Sequence, residues 1–60
     1  MITVERVLPS GAYIVSALVQ EGGRGLSWLY TRTYYGYPKS ALRALYRESL
    51  ADQGYTLARE

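Results

Sequence analysis

Trp28, Tyr30, Arg32 and Tyr34 stand at every second position of one stretch, a spacing that sets all four on one face of a β-strand. A guanidinium flanked by aromatic rings can pair with a phosphate, stack on a base, or be held by a carboxylate across a protein interface. Residues 28–37, Trp-Leu-Tyr-Thr-Arg-Thr-Tyr-Tyr-Gly-Tyr, hold five of the eight aromatic residues of the chain. A small chain cannot bury so many rings beneath one helix, so part of this run should face a partner or a second copy. Two readings of the rings stay open: strand propensity with core and dimer packing, which is favoured, and a nucleic-acid stacking surface.

Other residue types offer less chemistry. The acids Glu5, Glu21, Glu48, Asp52 and Glu60 are scattered along the chain, and there is no His or Cys to work with them. General acid-base catalysis needs two positioned groups of suitable pKa, so no catalytic residue is assigned and an enzyme is the least expected class. The tyrosine phenols, with an ordinary pKa of about 10, read as amphipathic contact residues. Without thiols or imidazoles no metal site and no cofactor are expected. Gly22-Gly23-Arg24-Gly25 resembles a phosphate nest only in composition, since no helix follows it, and reads as a flexible hairpin loop. Arg43 and Arg47, one helical turn apart, read as solvated surface.

Length and charge bound the rest. Sixty residues make one domain, residues 1–60, whose core is marginal for its size; oligomerisation is the remaining route to extra stability. Seven Lys and Arg against five Asp and Glu give a charge of +2 and a pI near 9.2, compatible with a polyanionic partner but too mild to demand one. No apolar run approaches the ~18 residues of a membrane span, and the N-terminus lacks a basic region followed by an apolar core. A soluble chain at home in the cytoplasm, with no membrane partner, is the expectation.

Residues 2–8 are rich in β-branched side chains and stop at Pro9-Ser10-Gly11, a hairpin signal. Residues 12–20 form a second strand, apolar on both faces, which places it in the middle of a sheet or at a contact. Residues 21–25 read as a loose, mobile connector. The third strand follows, with Leu26, Trp28, Tyr30, Arg32 and Tyr34 on one face and the smaller Ser27, Leu29, Thr31, Thr33 with Tyr35 on the other. The smaller face is the easier one to lay under a helix. That helix should run from Pro38 to about Gln53 with Gly54 as left-handed cap. Leu42, Leu45, Tyr46, Ser49, Leu50 and Gln53 form its buried stripe. The tail, residues 55–60, carries Tyr55 and Leu57 at strand spacing and either frays or extends along a neighbour.

The order predicts an α+β fold, a three-stranded antiparallel β-meander followed by one C-terminal α-helix packed on one sheet face. The other face would lie uncovered over several hundred square ångströms, a size that usually signifies an interaction site.

In element order, and in a third strand that passes through Thr31-Arg32-Thr33-Tyr34-Tyr35 into Ala41-Leu42-Arg43-Ala44-Leu45-Tyr46, the chain resembles the plant-type AP2 DNA-binding domain and the arm-binding domain of phage-type integrases. The ending Arg-Thr-Tyr-Tyr-Gly-Tyr-Pro is also similar to small bacteriophage proteins, especially those of actinobacterial phages. The AP2 and integrase resemblance implies a sheet lying in the DNA major groove with the helix bracing its back, and it carries a DNA-reading role onto Arg6, Arg24, Trp28 and Arg32. The central strand departs from that pattern in having no basic residue.

Two functions follow as expectations. The first is a non-enzymatic binding module of the phage regulatory kind, homodimeric through the uncovered sheet face or an edge strand, and contacting a host protein in the host cytoplasm through the aromatic sheet face. The second is a nucleic-acid-binding domain using the same face. The candidate binding residues are Arg6, Arg24, Trp28, Tyr30, Arg32 and Tyr34.

Overall fold

A computed structural model describes residues 1–58. Arg59 and Glu60, the end of the predicted tail, lie outside the described residues. Three antiparallel strands, β1 (Thr3–Val7), β2 (Ala12–Glu21) and β3 (Arg24–Tyr34), form a meander, followed by a helix, α1 (Lys39–Gln53), and a short strand, β4 (Tyr55–Leu57). β2 is central, as its two apolar faces require: β1 and β3 flank it, and β4 pairs with it as well.

The turn signals act where their chemistry predicts. Between β1 and β2 the Gly11 amide donates to the Val7 carbonyl at 2.8 Å, and the Ser10 hydroxyl donates to the same carbonyl at 3.3 Å. The second turn is tighter than expected. β2 runs to Glu21 and β3 begins at Arg24, so only Gly22 and Gly23 turn the chain, at φ of 65° and 79°. Two successive left-handed residues are what a two-residue hairpin turn needs and what side chains other than glycine resist. The predicted five-residue loop is therefore a tight hairpin, and Arg24 belongs to a strand. Just beyond it the register slips between Val19 and Glu21, and the Gln20 side-chain amide bridges the irregularity by donating to the Gly25 carbonyl at 2.9 Å.

Pro38 is extended and caps α1, and Gly54 at φ 77° terminates it, its amide directed at the carbonyls of Leu50 and Ala51. The Gly54 carbonyl in turn accepts from the Gly22 amide at 3.2 Å, which ties the helix end to the hairpin turn. From there the tail folds back onto β2. Val19, Gln20 and Glu21 pair with Leu57, Thr56 and Tyr55, whereas β1 pairs only with residues 12–16. Since β3 occupies the other side of β2 along its length, β1 and β4 share one edge end to end.

The helix lies on the face opposite to the one expected. Val15, Ala17 and Val19 of β2 are buried and pair with Arg32, Tyr30 and Trp28 of β3; directly opposed residues share a face. Tyr46 of α1 packs on Tyr30 at 5.5 Å between ring centres. The aromatic side of β3 is thus the helix side, with Tyr30 packed on α1, Tyr34 buried and Trp28 left exposed against Tyr55, and Leu29, Thr31 and Thr33 face away from the helix. Size explains the choice: threonines are too short to fill the space between two layers, whereas tyrosines bury large bodies and bring hydroxyls that find partners. The core comprises Ile2, Val15, Ala17, Val19, Tyr34, Leu42, Tyr46 and Leu50. Of the predicted helical stripe, Leu42, Tyr46 and Leu50 are buried and Leu45 and Ser49 half-buried, but Gln53 is exposed.

Candidate functional site

Of the six candidate residues, Tyr34 is buried and Tyr30 half-buried, while Arg6, Arg24, Trp28 and Arg32 are exposed. Trp28, Tyr30, Arg32 and Tyr34 pair with Val19, Ala17, Val15 and Tyr13 on the helix-covered face, and Arg6 joins that face by pairing with Tyr13. Arg24 pairs with Glu21 at the far end of the strand. Arg6 and Arg32 are each stacked on a tyrosine of their own chain, at 5.8 Å from the Tyr13 ring centre and 5.7 Å from that of Tyr34. The expectation that these residues form the uncovered face is corrected by this register.

Tyr30 organises the covered face. Its ring meets Tyr55 edge-on at 5.2 Å, and Tyr55 meets Trp28 in the same way at 5.0 Å. Its hydroxyl is hydrogen-bonded to the Ser49 hydroxyl of α1, and the Arg32 guanidinium donates to it at 3.3 Å. Burial alone would push the Tyr30 phenol up; the bonds from Ser49 and Arg32 and the Arg32 charge outweigh it and hold the phenol below its ordinary pKa. The same bond raises Arg32. Tyr46, fully buried, is pushed up by its burial. The Tyr34 hydroxyl is buried with no hydrogen-bond partner.

Tyr55 was legible only as one of two alternating residues in a tail, and Ser49 only as part of a stripe; neither could be assigned to Tyr30 without the long-range pairing of β4 and the rotation of α1.

Beside this cluster, a shallow cleft of about 260 Å³ runs between β3 and α1, with Arg32, Tyr34 and Tyr37 on one wall and Glu48, Ser49 and Asp52 among those on the other. One guanidinium and two carboxylates can hold a charged or hydrogen-bonding side chain. Among the described residues no three His, Cys, Asp or Glu side chains come together to hold a metal ion.

The face turned away from the helix is of another character. Leu18 and Leu29 oppose each other across β2 and β3 and are 51% and 64% exposed. Ile14 pairs with Thr33 and Ser16 with Thr31 around them, and Glu5, opposite Ile14, brings the charge on β1. No Lys or Arg stands in any of these opposed pairs. Among the described residues no helix is long and apolar enough to cross a membrane.

No family model, curated protein or solved structure matches the chain.

Proposed function

We propose that the protein is a non-enzymatic interaction module of the phage regulatory kind, and that it docks a host protein through the open sheet face centred on Leu18 and Leu29. The observation that carries this reading is the opposed pair Leu18–Leu29, two large apolar side chains more than half exposed in the middle of a face rimmed by hydroxyls. Isolated exposed leucines are ordinary; adjoining ones on paired strands offer a contiguous patch. The partner surface that fits it is apolar at its centre, with hydrogen-bonding groups around it to meet Ser16, Thr31 and Thr33.

A nucleic acid is the poorer fit. Phosphate recognition rests on cations, and no Lys or Arg stands in the opposed pairs of the open face, while Arg6 and Arg32, though exposed, lie on the helix side beside tyrosine rings. A titration of labelled duplex DNA and single-stranded RNA, at low and at physiological salt, tests the choice. Binding at background level at physiological salt is expected. Tight binding that falls steeply with salt, with a slope reduced by about one unit in Arg32→Ala, would reverse it.

A further inference from the structure

β3 pairs on one side only. β2 occupies that side from Tyr13 to Glu21, and among the described residues no strand occupies the other. The opposite edge of the sheet is divided between β1, five residues long, and β4, three residues long; short edge strands offer little to pair with. β3 has eleven residues and contains no proline. It also carries most of the exposed apolar surface: of the eight large apolar side chains exposed among the described residues, Leu26, Trp28, Leu29, Tyr35 and Tyr37 lie on β3 or just after it. A long, apolar, unprotected edge is a template for another strand.

We propose that the edge is completed by β3 of a second copy of this chain, antiparallel about a two-fold axis through Thr31, so that the four-stranded sheet is doubled and both helices lie on one side. The irregularity opposite Gln20 ends the regular ladder at Trp28, which leaves residues 28–34 as the regular edge and Thr31 as its midpoint. In this register Trp28 opposes the partner's Tyr34, Leu29 its Thr33, and Tyr30 its Arg32. Aromatic and cation–aromatic pairs of this kind are favourable across strands. A register centred on Trp28 would instead set Arg24 against the partner's Arg32, and one centred on Arg32 would oppose the two guanidiniums; like charges directly opposed are destabilising.

Charge identifies the occupant as a second copy. The cleft along the helix side of β3 holds one cation, Arg32, with two carboxylates, Glu48 and Asp52, and the Asp52 charge acts on the Tyr30 phenol. The partner's Arg32, arriving opposite Tyr30, brings the second cation to that acidic wall. By symmetry each copy completes the other's cleft. This contact runs along the backbone edge of β3 and adjoins the docking surface proposed above, reaching its Leu29, Thr31 and Thr33 but leaving Leu18 on the central strand free.

The chain contains no cysteine, so single introduced thiols report the contact cleanly. Thr31→Cys places two Cα atoms about 4.5–5.5 Å apart across the axis, a separation a disulfide can span. Thr3→Cys, on the opposite edge, is the control. Sedimentation equilibrium of the unaltered chain should show a dimer at micromolar concentration, and under mild oxidation Thr31→Cys should form the covalent dimer ~10-fold faster than Thr3→Cys. Circular dichroism checks that both variants are folded. A monomer throughout the concentration range, or equal rates for the two thiols, would overturn the proposal. Leu18→Lys separates the two surfaces: the dimer should survive it, and its dissociation would move the self-contact to the open face.

Discussion

The Tyr46 hydroxyl donates to the backbone carbonyl oxygen of Tyr30 at 2.6 Å, while the rings of the two residues pack on each other and the Tyr30 hydroxyl reaches up to Ser49, three residues further along the helix. The two layers are thus joined by bonds running in both directions, from helix side chain to strand backbone and between strand and helix side chains. This geometry pins the aromatic face beneath α1 and so determines which face is left open. Tyr46→Phe keeps the packing and removes one bond to a strand carbonyl, so a loss of about 1–2 kcal/mol is expected in urea unfolding. Tyr46→Ala should cost ~3–5 kcal/mol, a large share of the stability of so small a domain.

Tyr34 presents the reverse case. Its hydroxyl is buried and meets no partner at hydrogen-bond geometry, the Arg32 guanidinium acting on it only as the last and smallest of the contributions that raise Arg32, and an unsatisfied buried polar group costs stability relative to an apolar one of the same shape. Tyr34→Phe should therefore leave the domain as stable as before or raise its stability by about 1 kcal/mol. A loss of similar size in the same unfolding titration would mean that the hydroxyl has a partner in solution.

The helical stripe makes a graded prediction. Leu42 and Leu50 are buried, Leu45 half-buried, and Arg43 exposed. Truncation to Ala should cost ~2–5 kcal/mol at Leu42 and Leu50, distinctly less at Leu45, and within ~0.5 kcal/mol of nothing at Arg43. Thermal melts showing Leu45 as sensitive as Leu42 would require α1 to be rotated.

The element order was readable because each boundary has a local cause: Pro9-Ser10-Gly11, Gly22-Gly23, Pro38 and Gly54 mark turns and helix ends through their own backbone preferences. The covered face was not readable. Alternation shows that Trp28, Tyr30, Arg32 and Tyr34 share a side, but which side meets the helix depends on Tyr46 and Ser49 reaching Tyr30, contacts between residues far apart in sequence. β4 was hidden for a related reason. Three residues carry almost no local signal, and Tyr55–Leu57 becomes a strand because β1 stops pairing at Ser16 and leaves the next part of β2 open. Arg6, Arg24 and Arg32 are in strands and exposed, yet their pairings keep them off the face around Leu18.

Alkaline pH should destabilise the fold through Tyr46. Burial raises its phenol above the ordinary value, so the neutral form is preferred in the native state. Its contribution is fully present below the unfolded pKa of about 10 and is lost as pH rises through the folded value. Tyr30, held low, contributes with the opposite sign, gaining as its phenolate forms. Unfolding titrations from pH 8 upward should show stability falling above about pH 10, with the fall reduced in Tyr46→Phe and deepened in Tyr30→Phe.

The central claim is that a partner protein docks on the open sheet face. Capture from host extract on the immobilised chain, treated with nuclease and compared with an immobilised Leu18→Lys variant shown to be folded, tests it most directly. Leu18 lies on the central strand, away from the free edge of β3, so the substitution alters the patch without touching that edge. A bound protein that survives nuclease and is lost from Leu18→Lys is expected, because a lysine placed at the centre of an apolar contact leaves its charge without a partner. The same protein held equally by both chains, or material released by nuclease, would contradict it.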